Sequence, residues 1–279
     1  MKLPSSDSAP ATSSCVKPTS VPRPLTSDFL EPQYHSMRAY TGFSVWLDCT
    51  RRGAYRFEYY AFKDCGNFAR SSGFRSDPDF PDPPPGTPNI IAQHYCQQKN
   101  GAAYPKHDGV SFDRGHLVPA NHLDGNKLAI KQSNFMTNIM PQAANMNRGA
   151  WLQSEEIIEC FRDIAPLHVL GGVIYDDKSP RKDWFKKSHY VDNPTFFWKI
   201  ITSQRLWGTE SKGTHRVAWL MPNSEFAKRD QIDKYLVSID ELESALAAAG
   251  QGQSFNMPAS EKRLKPTTSP PLPKGCDKS

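Results

Sequence analysis

Two segments of the sequence hold side chains whose types and spacing suit a hydrolytic reaction. One is FDRGHLVPANH at positions 112–122, and the other is NFMTNIMPQ at positions 134–142, followed by Asn147, Trp151 and Glu155. Phosphodiester hydrolysis needs a base that deprotonates water, positive charge against the phosphorus, and groups held in line. Histidine is the natural base near neutral pH. Oxygen atoms of Asn and Glu suit a hard divalent cation such as Mg²⁺.

The first segment supplies the base. A lone histidine is more often structural than catalytic, but the motif around His116 favours general-base catalysis. We expect Arg114 to face the phosphate and Asp113 to orient a neighbouring backbone or side chain. His122 stands six residues after His116, and we interpret it as a structural residue and not as a second ligand.

The second segment supplies the cation ligand. Taken alone, Asn147 would be a helix N-cap, Glu155 a solvated carboxylate and Trp151 a core residue. If a helix begins near Asn147, the three residues fall at positions i, i+4 and i+8 along one side of it. Asn147 would then bind the cation directly, and Glu155 would bond to one of its water molecules.

The elements that must position these residues are mixed in type. Periodicity predicts a hairpin of 43–48 with 55–62, strands at 167–175, 196–202 and 216–221, and helices at about 148–163 and 240–249. Strands and helices do not alternate regularly, which favours an α+β fold over a doubly wound α/β fold. Residues 1–30 and 251–279 are rich in Ser, Pro and Thr and are interpreted as a flexible arm and a flexible tail around one domain at 31–250.

Composition sets broad limits. The net charge of +5 fits a polyanionic partner but is weak evidence by itself. No apolar run is long enough to span a membrane, so we expect no membrane partner. The first 25 residues lack the apolar core of a signal peptide and the arginine-rich pattern of a transit peptide.

The six cysteines carry information on compartment. They stand at 15, 49, 65, 96, 160 and 276, and none form a CxxC pair. An even count slightly favours a secreted protein, with a mitochondrial or other intracellular location as the alternative. The predicted hairpin places Cys49 at its turn and Cys65 at its open end, too far apart for a disulfide bond.

The DRGH motif ending at His116, followed at this distance by Asn147, Trp151 and Glu155, resembles the DNA/RNA non-specific endonuclease family. The continuation LVPANH is most similar to the endonuclease G branch, and NFMTNIMPQ and NRGAW also match the family's pattern. The resemblance covers roughly residues 40–250 and is strong over 112–155. It implies that residues 31–250 form the endonuclease domain.

The resemblance implies a ββα-metal fold, in which a mostly antiparallel sheet is flanked by helices. It implies Asn147 as the direct ligand of Mg²⁺, for which Mn²⁺ can substitute, and Asn138 as a support for His116 or the substrate. An upstream arginine at the phosphate is also implied; Arg70 or Arg75 fits that place, and Arg70 is favoured. DNA and RNA substrates, 5′-phosphate products and a possible homodimer complete the expectations.

Two other functions stay open at this stage. One is a non-catalytic nucleic-acid-binding protein on a nuclease scaffold, against which the intact His116, Asn147 and Glu155 speak. The other is a nuclease with a narrow substrate, such as double-stranded RNA, because loops such as 77–110 can set substrate preference.

Overall fold

The computed structural model describes residues 35–70, 73–80, 96–205, 212–252, 254–276 and 278. Its largest element is an antiparallel seven-stranded sheet in the order β1-β2-β3-β6-β7-β8-β9. These strands are β1 His35–Tyr40, β2 Phe43–Asp48, β3 Gly53–Ala61, β6 Leu167–Ile174, β7 Phe196–Arg205, β8 Lys212–Pro222 and β9 Leu236–Val237. The expected α+β class and mostly antiparallel sheet are confirmed. The arm expected at residues 1–30 lies outside the described residues.

A separate two-stranded sheet lies beside the large one. It pairs β4 Phe112–His116 with β5 Ile139–Ala143, so that Gly115 lies opposite Met140. A Cβ atom on Gly115 would lie 2.0 Å from the side-chain oxygen of Gln142. Only glycine therefore fits next to His116, and this close approach fixes the end of β4 against β5.

Alternation along the strands gives the large sheet two buried faces. On one face, Phe57, Val169 and Phe197 pack with Trp151 into the main core. On the other face, Leu170 and Ile200 belong to a smaller cluster that includes residues of a C-terminal helix. The sheet is therefore covered by helices on both sides, as the α+β reading expects.

The helices are short except for two. They are α1 Lys127–Ser133, α2 Ala144–Met146, α3 Leu152–Arg162, α4 Lys186–His189, α5 Ile239–Ala248 and α6 Ala259–Lys262, with 3₁₀ turns at Ala120–Leu123, Met136–Asn138 and Arg229–Tyr235. α5 begins with a capping box between Ser238 and Glu241, which satisfies its first free N–H groups. Among the described residues, none of these helices has the length and apolarity that crossing a bilayer requires.

The helix expected near residues 148–163 differs at its start. The helical segment begins at Ala144, and a π-helical turn at Asn147–Trp151 joins α2 to α3. Asn147 therefore lies inside the segment and is not an N-cap, and the regular four-residue stripe is interrupted at its first step. π-turns of this kind are frequent at functional sites.

The C-terminal segment, interpreted from its composition as a flexible tail, is packed instead. Phe255 is buried in the cluster around α5, and the Trp219 indole donates to Ser269 at 3.1 Å. A disulfide bond joins Cys160 on α3 to Cys276. Composition alone misses these attachments because a few apolar and cysteine side chains anchor an otherwise polar stretch.

The other described cysteines are also oxidised. Cys49 is bonded to Cys96, and Cys65 is in a disulfide bond as well. The prediction that Cys49 and Cys65 do not pair is therefore confirmed. Cys49 follows directly on the last residue of β2, near the hairpin turn, as the predicted hairpin required.

Candidate active site

His116 stands at the C-terminal end of β4, half-buried, with its ring held by a neighbouring amide. Its Nε2 lies 2.8 Å from Oδ1 of Asn134. An amide oxygen can only accept, so Nε2 carries the proton and Nδ1 is left as the basic nitrogen. Burial lowers the pKa of His116 to about 4. The positive charge of Arg70 also lowers this pKa, whereas the hydrogen bond to Asn134 raises it. The imidazole is therefore neutral at neutral pH, which a general base requires.

Asn134 itself is placed by backbone hydrogen bonds from the segment around Arg75. The Arg75 N–H donates to the Asn134 carbonyl at 3.1 Å, and the Met136 N–H donates back to Arg75 at 2.9 Å. Asn134 is buried at 7% exposure. Asn134 is the first residue of the segment 134–142, but no spacing rule in the sequence indicated that it faces the His116 ring.

Asn138 lies beneath the backbone that follows His116. It is fully buried, its side-chain oxygen accepts from the Val118 N–H, and its amide donates to the carbonyls of Val118 and Ser133. Its own carbonyl accepts from the Leu117 N–H at 2.9 Å. Asn138 thus anchors the backbone directly after His116 and does not touch the ring.

Asn147 is oriented by Asp113. The amide nitrogen of Asn147 donates to Oδ2 of Asp113 at 2.9 Å. Arg148 donates to both oxygens of the same carboxylate, at 2.8 and 2.6 Å. Because the nitrogen of the Asn147 amide is engaged, its oxygen is the end presented elsewhere. Asp113 therefore acts on a neighbouring side chain, as one of its expected roles.

The π-turn that carries Asn147 is held by close backbone packing. Gly149 has φ −114° and ψ −106°, outside the helical range. A Cβ atom there would lie 2.9 Å from the backbone nitrogen of Arg229 and 3.0 Å from the carbonyl oxygen of Ala227. The N–H of Ala150 also donates to Ala227 at 3.2 Å. The 227–229 loop therefore holds the backbone of the π-turn in place and, with it, the position of Asn147.

Glu155 lies one helical turn after Trp151 and faces a buried lysine. Burial raises the pKa of Glu155 to about 7, opposed by the positive charges of Lys199 and Arg70. Burial in turn lowers the pKa of Lys199 to about 8, opposed by Glu155. The Lys199 ammonium lies 3.7 Å from the Trp151 ring centroid and donates to Ser154 at 2.8 Å. No motif in the sequence indicates Lys199, which lies within the strand predicted at residues 196–202.

Trp151 and His122 join this site to the core. The Trp151 indole donates to the His116 carbonyl at 3.2 Å, while its ring is fully buried. His122 is buried; it bonds to the Tyr59 hydroxyl at 2.7 Å and to the Glu155 carbonyl at 3.2 Å. These contacts agree with the structural role predicted for His122.

The three arginines predicted at the phosphate are connected to His116 in different ways. The charge of Arg70 acts on both His116 and Glu155, and its guanidinium donates to Oδ1 of Asn121. Arg114 donates to the Gly101 carbonyl and lies 4.3 Å from the ring centroid of Phe74. That same Phe74 ring is 5.7 Å from the imidazole of His116. Arg75 reaches the site through its backbone bonds to the Asn134 segment.

The donor set limits the kind of cation that can be held here. Among the described residues, no group of three or more His, Cys, Asp and Glu side chains is arranged to hold a metal ion. The oxygen atoms of Asn147 and Glu155 would instead suit a hard cation that keeps several of its water molecules. A fully liganded zinc site of the four-residue type does not fit these residues.

Comparisons with known proteins identify the family of this chain. A family model described as DNA/RNA non-specific endonuclease matches residues 25–259. The mitochondrial endonuclease G of Homo sapiens is 26% identical over 144 residues, which cover 49% of this chain and 47% of that protein. A nuclease of Serratia marcescens is 26% identical over 138 residues, 48% of each. The chain spans about half the length of these relatives.

A solved structure shares the fold. A chain in the crystal structure of an EndoG/EndoGI complex superposes with a TM-score of 0.56 at 18% identity. The match covers 78% of this chain and 84% of that chain. At this identity the similarity supports a shared fold only, and the chemistry depends on the residues described above.

Proposed function

This chain belongs to the DNA/RNA non-specific endonuclease family, and from that premise we propose that it hydrolyses phosphodiester bonds of DNA and RNA in a metal-dependent reaction. The observation that carries the proposal is the imidazole of His116, neutral at physiological pH and held by Asn134 so that Nδ1 is its basic nitrogen. Such a nitrogen can take a proton from an attacking water molecule.

The water molecule, once deprotonated by His116, attacks the phosphorus in line with the leaving 3′ oxygen. The bond between phosphorus and the 3′ oxygen breaks, which leaves a 5′-phosphate, and the 3′ oxygen takes up a proton from solvent water to give a 3′-hydroxyl. Arg70 is the proposed phosphate contact, because its charge already reaches both His116 and Glu155. Arg114 contacts the ring of Phe74, which in turn contacts the imidazole of His116. Arg75 is the alternative upstream arginine.

The residues present fit a divalent cation. Asn147 would hold Mg²⁺ directly through the amide oxygen that its bond to Asp113 leaves available, and Glu155 would hold it through water. When bound, the cation neutralises charge on the phosphate and stabilises the leaving oxygen. Mn²⁺ also prefers oxygen ligands and is the expected substitute.

Low sequence selectivity is part of the proposal. The groups proposed to contact the substrate are arginines, which bind phosphate oxygens and carry no information on sequence. The 2′-hydroxyl of RNA plays no part in a reaction in which water is the nucleophile. We therefore propose that both DNA and RNA are substrates. We also propose a homodimer, and an oxidising compartment that is consistent with the disulfide bonds.

The test is a substrate panel with the full chain. Supercoiled plasmid, duplex DNA, single-stranded DNA, total RNA and duplex RNA are incubated in Mg²⁺, in Mn²⁺ and in EDTA, and the product ends are identified with a 5′-phosphate-dependent ligase. Cleavage of DNA and RNA in both metals, absent in EDTA, with 5′-phosphate ends, supports the proposal. Cleavage of duplex RNA alone supports a narrow-substrate nuclease, and tight binding without cleavage supports a non-catalytic binding protein.

A further inference from the structure

A shallow, open cavity lies next to the proposed phosphate-binding arginine. Its volume is ≈ 200 Å³, and its walls are formed by Asn67, Phe68, Ala69, Arg70, Asn121 and Asp124. This is smaller than a site that encloses a whole small molecule, so the cavity suits one flat part of a larger ligand. None of the roles assigned above uses it.

Arg70 lines the cavity and also acts on the proposed catalytic residues. Its Nε donates to Oδ1 of Asn121 at 2.9 Å, and a second guanidinium nitrogen donates to the same atom. Its charge acts on His116 and Glu155. A nucleotide whose phosphate is bound by Arg70 would therefore have its sugar and base within reach of this cavity.

The wall that carries Phe68 is fixed in place. The Phe68 N–H donates to the Asp124 carbonyl at 3.0 Å, and Gly66 packs so closely on Gly125 that a Cβ atom would lie 3.0 Å from its Cα. Cys65 is tied by a disulfide bond. Phe68 is nevertheless 48% exposed. A rigidly mounted, half-exposed aromatic ring is a suitable surface for stacking.

We propose that this cavity binds one unpaired nucleobase next to the scissile phosphate, with the ring of Phe68 stacked on the base. This subsite rests on the proposed nuclease function and specifies the form of its substrate. The oxygen of the Asn121 amide is engaged by Arg70, so its NH₂ group faces acceptors on the base edge. Asn67 supplies a second amide at the rim.

The charged groups that line the cavity include one of each sign. Arg70 is cationic, and the Asp124 carboxylate lies 3.7 Å from the guanidinium of Arg162. The lining therefore carries no excess of positive charge beyond Arg70 that would call for a second phosphate, and the exposed ring of Phe68 is the feature that suits a base. Stacking on aromatic side chains is a main source of affinity in proteins that bind single strands.

The base must be unpaired to enter. In a duplex each base is stacked on both sides, and turning it out costs a few kcal/mol. The subsite therefore predicts faster cleavage of single strands, frayed ends and loops than of regular duplex. This preference would act through base stacking and would be largely independent of which base is present.

The test compares a short oligothymidylate with an oligonucleotide of the same length in which every base is replaced by an abasic sugar. The second-order rate constant kcat/KM for cleavage is measured for both in Mg²⁺, and binding of both is measured by fluorescence anisotropy in EDTA. The variants are Phe68→Ala, Phe68→Leu and Phe68→Tyr. Phe226→Ala is the matched control, because Phe226 is 72% exposed and does not line the cavity.

Wild type and Phe68→Tyr should prefer the base-bearing strand by about 10-fold, and Phe68→Ala and Phe68→Leu should reduce this preference to about twofold or less. Phe226→Ala should leave it unchanged. An unchanged preference in Phe68→Ala, or an equal loss in Phe226→Ala, would overturn the subsite. If wild type cleaves neither strand, the nuclease proposal fails, and the anisotropy comparison in EDTA still decides whether Phe68 binds a base.

Discussion

The side chains of His116 and Asn134 are joined through a hydrogen bond of 2.8 Å between Nε2 and Oδ1. This single contact fixes the tautomer of the proposed base, because the acceptor is an amide oxygen. It also fixes the plane of the ring at the end of β4. The sequence motif indicates His116 but does not indicate its partner Asn134.

Replacing Asn134 should therefore slow the reaction without preventing binding. In Asn134→Ala the ring loses its orienting partner, and kcat should fall by about 10- to 100-fold, a part of the usual contribution of a general base. KM should change by no more than about twofold, because the arginines stay in place. Asn134→Asp should raise the pKa of His116, since a carboxylate stabilises the imidazolium. A pH–rate profile that is the same in Asn134→Asp and wild type would contradict this assignment.

Binding of Mg²⁺ should depend on pH through Glu155. The pKa of this carboxyl is raised to about 7, so it is neutral below that pH and ionised above it. Cation affinity should therefore increase as the pH rises from about 6 to about 8, with release of a proton on binding. Isothermal titration calorimetry in two buffers of different protonation enthalpy measures both quantities. Glu155→Gln should bind more weakly and without proton release, whereas Glu261→Gln, on α6, should titrate like wild type.

Lys199 should set where that transition falls. It is buried beneath Trp151, and its charge opposes the upward shift in the pKa of Glu155. In Lys199→Met the carboxyl should become harder to ionise, so the pH dependence of Mg²⁺ binding should move to higher pH. Activity at neutral pH should decrease several-fold and recover in alkaline buffer. Lys187→Met, at an exposed lysine, is the control, and a midpoint that stays in place would argue against the coupling.

Asp113 and Arg148 should contribute unequally to the cation site. Asp113→Ala frees the Asn147 amide to rotate, and loss of such a partner typically weakens metal affinity by about 10- to 100-fold. Arg148→Ala removes a side chain that is 72% exposed, and exposed ion pairs contribute only about 0–1 kcal/mol. The Kd for Mg²⁺ of the two variants, from calorimetry, checks the order. Equal losses in both would show that the Arg148–Asp113 ion pair, and not Asp113 alone, orients Asn147.

The sequence was most informative where periodicity and motif coincide. Partial alternation, continuous apolar runs and an Ala- and Leu-rich segment predict the hairpin of 43–48 with 55–62, the strands near residues 167–221 and the helix near 240–249. Each of these assignments is confirmed within a few residues. The short strands β4 and β5 were not predicted from periodicity, because glycine, proline and polar residues break their alternation.

The site was predictable in its residue types and less so in its contacts. His116, Asp113 and Asn147 are brought together, but their partners Asn134 and Lys199 lie on other elements, and only tertiary packing brings them close. The π-turn at Asn147 depends on close packing between Gly149 and the 227–229 loop, which are far apart in the sequence. No local spacing rule contains that information.

Replacement of His116 decides whether this residue is the base for phosphodiester hydrolysis. The initial rate of plasmid cleavage in Mg²⁺ is compared for wild type, His116→Ala and the control His215→Ala on β8, with thermal unfolding measured for each. We expect His116→Ala to fold like wild type and to cleave at least about 100-fold more slowly, while His215→Ala keeps its activity. Wild-type cleavage by folded His116→Ala would show that His116 is not the base.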